Sequence, residues 1–253
     1  MAEADEGDGP VGGDQDVAGE PSPGVLADLL ETRRLLLVPL LMATGVALVV
    51  HVVSDVPLAL ALGVTVAILL PLAVVGWVRL RPAERADARR RAAVGVVAGA
   101  AGTAAYDGTR WGLAEIADLG FWPYDILEVF GTALVGHGQP MWAVLTAGIA
   151  LHVVTGVGLA AAYALLLRRP TVWNGIVVGL VLGTFMVVIY PNWIGTEGVF
   201  GGFLAATAVG HLVYGAAIGL VAMWLVGRRR PPAAADRAFT PGSSFPRAAG
   251  SDG

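Results

Sequence analysis

The chain has 253 residues, of which 56% are hydrophobic and only 14% charged, with a mean hydropathy of +0.70 and a formal net charge of −4. An ordinary soluble domain carries about 25% charged residues, and a chain this short has too little interior to hide so many apolar side chains behind a wettable surface. A soluble globular enzyme, a coiled coil and a disordered chain are excluded, and an all-α, multi-pass membrane protein is expected.

The first segment, 1–33, holds seven acids within its first 20 residues (Glu3, Asp5, Glu6, Asp8, Asp14, Asp16 and Glu20) and no base among them. It cannot bury enough apolar surface to fold and reads as an acidic, disordered cytoplasmic tail. It lacks the basic start and apolar run of a signal peptide. Six segments are long and apolar enough to cross a bilayer: Leu35–Val53, Pro57–Val78, Ala92–Trp111, Met141–Leu167, Val172–Tyr190 and Gly202–Val226. The first two, with the arginine-rich connection after them, make a hairpin unit over 34–91. The other four make a core over 92–230. The remainder, 231–253, is rich in Pro, Ala, Gly and Ser and reads as a second tail.

All 16 basic residues are Arg, and their placement orients the chain. Arg33 and Arg34 precede the first span, Arg79 to Arg91 lie between the second and third, Arg168 and Arg169 between the fourth and fifth, and Arg228 to Arg230 follow the sixth. The other connections carry acids, among them Asp55, Asp118, Glu128 and Glu197. The positive-inside rule then puts both termini in the cytoplasm, and Arg110 alone breaks the pattern. The tryptophans agree: Trp77, Trp173 and Trp224 fall at the inner ends, and Trp111, Trp122, Trp142 and Trp193 at the outer ones. The basic connection should attract anionic lipid headgroups. Its arginines are explained by topology, which argues against nucleic acid.

Between Ala117 and Pro140 the outer connection is longer than a tight turn. Asp125 is placed to N-cap a helix bearing Ile126, Leu127, Phe130 and Leu134. That helix is too short to span; it lies at the interface or re-enters.

Small residues recur at helical spacing in the last four spans: Gly95/Gly99, Gly108/Gly112, Gly175/Gly179/Gly183 and Gly215/Gly219. Such spacing lets helix backbones approach closely, within one chain or between copies in a homo-oligomer. The core also reads as a duplication. Gly95-Val-Val-Ala-Gly99 matches Gly175-Ile-Val-Val-Gly179, and His152-Val-Val-Thr-Gly156 matches His211-Leu-Val-Tyr-Gly215. Both halves have the same orientation, as in the parallel repeats of some transporters.

Four polar residues inside or near spans are candidates for chemistry, because polar groups in a bilayer are costly. His152 and His211 lie near mid-membrane at matching repeat positions. They suit a proton path, axial ligation of haem iron, or hydrogen bonds that merely hold helices together. Asp107 and Arg110, three apart on one face near the end of the third span, either pair with each other or let Arg110 reach the outer headgroups. His51 and Asp55 read as surface residues. No nucleotide motif, nucleophile elbow or paired-His metal motif is present, so neither an enzyme nor a resident cofactor is expected.

Spans three to six resemble the YagU-like family of uncharacterised bacterial inner-membrane proteins. The shared features are His152 eleven residues before Tyr163, the Trp173-Asn174-Gly175 opening of the fifth span, and Gly210-His211-Leu212-Val213 in the sixth. The resemblance covers residues 93–226 and implies a fold but no substrate. Proton-linked transport or permeation of a small solute, a structural or accessory role, and a haem-binding electron-transfer subunit are the three functions to be separated.

Overall fold

The structure is a computed structural model that describes residues 33–227, so both expected tails lie outside the described residues. A 3-10 helix (Arg33–Leu37) leads into α1 (Val38–Leu41), which meets α2 (Ala43–Ser54) at a bend of 53° around Met42. Then come α3 (Leu58–Arg79), α4 (Pro82–Ile116), α5 (Asp125–Val135), α6 (Met141–Leu166), α7 (Val172–Ile189), the single turn α8 (Pro191–Ile194), a 3-10 turn (Glu197–Val199) and α9 (Phe200–Gly227). The chain is an all-α, multi-pass membrane protein. By length and composition α3, α6, α7 and the helix ending in α9 can each cross a bilayer, and the bent α1–α2 pair would make a fifth span. Large apolar side chains such as Leu60, Ile68, Val78, Val177 and Val188 stand fully outward, a surface that suits lipid and not water.

Local chemistry sets the boundaries. Asp55 takes the left-handed conformation (φ 55°) and stops α2, and His51 Nδ1–H donates to the Val56 carbonyl at 2.7 Å across the turn. Pro82 sits in the first turn of α4, where a missing N–H is harmless. There the Arg81 N–H donates to Glu84 Oε2 at 2.7 Å. Thr171 caps α7 by accepting from the Asn174 N–H.

Two expectations are corrected here. The arginine-rich connection is not a loop: α4 runs 35 residues and takes Arg85 to Arg91 into its first turns. Asp87 pairs with Arg91 at 2.7 Å and with Arg90 at 3.4 Å along the helix, the i,i+3 and i,i+4 spacings that support a helix face. Arg91, largely buried, also donates to the Leu167 carbonyl at 2.9 Å and so ties the start of α4 to the end of α6. In the second correction, Asp125 is the first residue of α5 and not its cap; Tyr124 holds the cap position without a side-chain bond. Antiparallel contacts place α5 beside the first two turns of α6. Gly148 lies against the Leu127 carbonyl, Gly131 against that of Val144, and Ile126 and Phe130 are buried with Leu48, Leu58 and Leu151.

Glycine decides how the long helices meet. A Cβ on Gly175 or Gly179 would collide with the backbone of α9 around His211, Gly215 and Gly219; one on Gly95 or Gly99 would collide with α6 around Val157, Ala160 and Ala161. The backbone of α7 therefore lies on α9 and that of α4 on α6, while α4 also packs closely on α9. Leu41 of α1 rests its carbonyl on Gly158 of α6. The Gly108/Gly112 pair does not follow this pattern: a Cβ at either meets nothing within 4 Å. Gly108→Ala should therefore be tolerated, with thermal stability unchanged or raised by up to about 1 kcal/mol from the lost freedom of the unfolded chain; a drop in the melting curve would show a contact at that face.

Candidate functional site

The helices enclose a cavity of about 380 Å³ whose walls come from α2, α4, α5, α6, α7 and α9. Most of the lining is apolar, including Leu48, Phe130, Leu159, Leu182, Phe185 and Met186. The polar lining is gathered mainly from α4, α6 and α9: Thr103, Tyr106 and Arg110 on the first, His152 on the second, His211 and Tyr214 on the third. On the remaining side α2 and α7 touch only sparsely, and the facing side chains Val46, Val50 and Phe185 are exposed. The cavity is thus open sideways between α2 and α7.

Tyr106 is the hub of the polar wall. Its ring centroid lies 4.9 Å from that of His211, edge-on, and 6.0 Å from that of His152. The Arg110 guanidinium sits over the same ring at 5.1 Å. His152 Nε2 faces Asp107, 3.1 and 3.3 Å from the two carboxylate oxygens. A carboxylate accepts, so Nε2 carries the proton and Nδ1 of the neutral ring remains the basic nitrogen. His211 Nδ1–H donates to the Thr207 carbonyl of its own helix at 2.9 Å, and its Cβ packs 3.1 Å from where Gly183 would carry one. Tyr214 O–H donates to the Gly156 carbonyl at 2.6 Å and joins α9 to α6.

Arg110 is only 4% exposed. Its Nη2–H donates to the Pro123 carbonyl at 2.7 Å, and its Nε has no hydrogen-bond partner. Two turns earlier on α4, the Thr103 hydroxyl is likewise buried without a partner. The loop before α5 is held over this corner by Tyr124, whose O–H donates to the Asp107 carbonyl at 2.7 Å. Partial burial pushes the Tyr124 hydroxyl above its ordinary pKa, so it stays a donor.

The four sequence candidates therefore come together, but not in the expected pairs. Asp107 turns across to His152 on α6, and Arg110 turns to Pro123 and Tyr106. The expected Asp107–Arg110 ion pair is absent among the described residues, and Arg110 is buried, so it does not reach outward to headgroups either. A polar partner on another helix and an aromatic face beat the neighbour one turn away. Tyr106 was not anticipated, although its position four residues before Arg110 is the spacing of a helical neighbour. His51 lies in a separate groove with Glu128, His137 and Trp193. No group of three or more potential metal ligands occurs among the described residues, and the Tyr106 ring packs against both imidazoles. Nothing in this geometry supports haem ligation. Comparison with family models, with curated proteins and with solved structures gives no match.

Proposed function

We propose that this chain moves a small solute across the membrane together with a proton, with His152 and Asp107 as the proton-holding pair and Arg110 beside them as the fixed charge. The observation that carries this reading is the contact of Asp107 with His152, which lines one cavity in the helical core together with the buried Arg110. Ionisable groups inside a membrane are expensive and are kept where they mark a path. A hydrogen-bonded imidazole–carboxylate pair can take up and release a proton near neutral pH.

The topology that goes with it has six spans. α4 serves as the third despite Asp107 and Arg110, since α6 and α9 shield it, and the α1–α2 pair serves as the first. Both termini lie in the cytoplasm, and the arginines at the start of α4 meet anionic headgroups. The duplication is supported by equivalent contacts: Gly95 meets Ala160 as Gly175 meets Gly219, and Gly99 meets Gly156 as Gly179 meets Gly215. On this alignment Val187 stands where Asp107 does, so only the first half has an acid for its histidine. His152 is thus the histidine assigned to the proton-holding pair. His211, bonded to Thr207 and packed on Gly183, is a wall residue that holds helices together. The likeness of residues 93–226 to the YagU-like proteins fits the same arrangement.

The test uses proteoliposomes with a trapped pH dye, to which decanesulfonate, methanesulfonate, tetramethylammonium or glycerol is added from outside. Protein-dependent proton movement with at least one solute, lost in His152→Gln, is expected. Rates equal to those of protein-free liposomes for all four would overturn the reading in favour of a structural role.

A further inference from the structure

We propose that the solute is a single-chain amphiphilic anion that reaches the cavity sideways from the bilayer, between α2 and α7, and sets its head on Arg110. This rests on the reading of the cavity as a proton-linked solute site, and it names the substrate class. Three observations carry it.

The first is charge. A guanidinium stays protonated under all ordinary conditions. Arg110 is 4% exposed, its Nε is unpartnered, and among the described residues no carboxylate lies within ion-pair distance of it. A buried cation without a bonded anion is costly, and this one is among the residues that line the cavity. An anionic head group supplies the missing counter-charge. The second is shape and lining. The cavity of about 380 Å³ falls in the lower part of the range for small-molecule sites, about 300–1,000 Å³. It suits one chain and not a two-chain lipid. Away from Arg110 its walls are Leu159, Leu182, Phe185 and Met186, surfaces that a small hydrophilic anion would leave unused. The third is access. The sparse α2–α7 contact opens the apolar part of the cavity toward the side of the bundle, where an amphiphile already dissolved in the bilayer arrives tail and head together.

Charge balance links the anion to the proton. With His152 neutral, Asp107 and Arg110 cancel; a bound monoanion leaves the site negative by one, and protonation of His152 restores neutrality. In surroundings of low dielectric the neutral combination is favoured, so anion and proton should bind together. The other titratable groups that line the cavity with His152 and Arg110 are Tyr106 on α4, His211 and Tyr214 on α9 and Tyr190 just after α7. Glu128 and Asp125 of α5, and His51 of α2, line the separate groove.

The experiment is native mass spectrometry of the purified chain in nonionic detergent with decanesulfonate, an anion that cannot itself take up a proton near neutral pH. One decanesulfonate per chain is expected, bound more tightly as pH falls from about 8 to 5. Binding should weaken roughly tenfold or more in Arg110→Gln, the loss of one charged hydrogen bond, with partial recovery in Arg110→Lys. Gly45→Phe is the second variant. A Cβ there meets only Thr155 Cγ2 at 4.0 Å and no backbone, and Gly45 lines the cavity, so a ring added here is expected to occupy cavity space; binding should fall while the melting temperature holds. Equal binding of decyltrimethylammonium, equal binding of methanesulfonate, displacement by phosphatidylglycerol, or unchanged binding in Gly45→Phe would each overturn the assignment. Decanesulfonate binding without proton movement would sink the transport reading and leave the ligand class standing. Proton movement driven by tetramethylammonium or glycerol, with no decanesulfonate bound, would do the reverse.

Discussion

Replacing Gly179 with leucine is expected to prevent the folded protein from accumulating. Even Gly179→Ala should lower stability by about 1–3 kcal/mol, the usual range for overpacking. A Cβ at this position would overlap the His211 carbonyl and stand 2.9 Å from the Gly215 Cα. Backbone cannot change rotamer to escape, so α7 and α9 must separate along their whole contact. In a bilayer that separation is not opposed by a hydrophobic drive between helices, and close packing is what holds them. A graded series tests the mechanism. At Gly183 the added Cβ would stand 3.1 Å from His211 Cβ and 3.3 Å from its Cγ, so a shift of only a few tenths of an ångström is needed. Gly183→Ala should therefore fold with a modest loss and a displaced His211 ring, and Gly108→Ala should cost nothing. Melting curves in detergent rank the three. A Gly179→Leu protein that accumulates and melts like the wild type would show that the α7–α9 seam does not hold the bundle.

The glycine spacing is readable in the sequence because the closest backbone approach leaves no room for a Cβ, and only glycine lacks one. Spacing does not say which face of a helix meets a neighbour, which is why Gly95/Gly99 and Gly175/Gly179 found partners and Gly108/Gly112 did not. The helical start of α4 was hidden for a different reason. Arg85 to Arg91 read as a charged connection when only hydropathy is counted, yet Asp87 with Arg90 and Arg91, and Glu84 at the first turn, are helix-supporting spacings. The site was half legible. Mid-span histidines and an arginine out of place among the topological signals marked it. Sequence spacing, however, ranks only neighbours on the same helix, so it offers Asp107 an Arg110 partner on α4, as one of two readings, and cannot point to His152 on α6. Tyr106 escaped notice because a tyrosine in a span is unremarkable until three polar groups are seen to meet on its ring.

Asp107→Asn is expected to reduce proton movement by roughly tenfold or more while leaving the melting temperature close to that of the wild type. Asparagine keeps the volume, and its carbonyl oxygen can still accept from His152 Nε2–H, so the link between α4 and α6 survives. What disappears is the negative charge. Two unit charges about 4 Å apart interact by about 4 kcal/mol at an effective dielectric near 20, and each 1.4 kcal/mol is a factor of ten. The full figure does not apply, since the Asp107 and His152 side chains are 30% and 18% exposed and water screens part of it; one decade is a conservative remainder. Without the carboxylate, a proton on His152 would leave two cations, imidazolium and Arg110, in one cavity with no counter-charge. His152→Gln removes the proton's seat from the other side and should fall to the same level. The double variant should be no worse than either single one, because residues that act as a unit lose their function once. The alternative, that the pair only holds helices together, predicts another pattern: melting temperatures that drop with each change and no protein-dependent proton movement in the wild type. Wild-type proton movement in Asp107→Asn, or independent and additive losses in the double variant, would separate these two residues from the proton path and leave Arg110 as the one charged group in the cavity whose role is still tied to a solute.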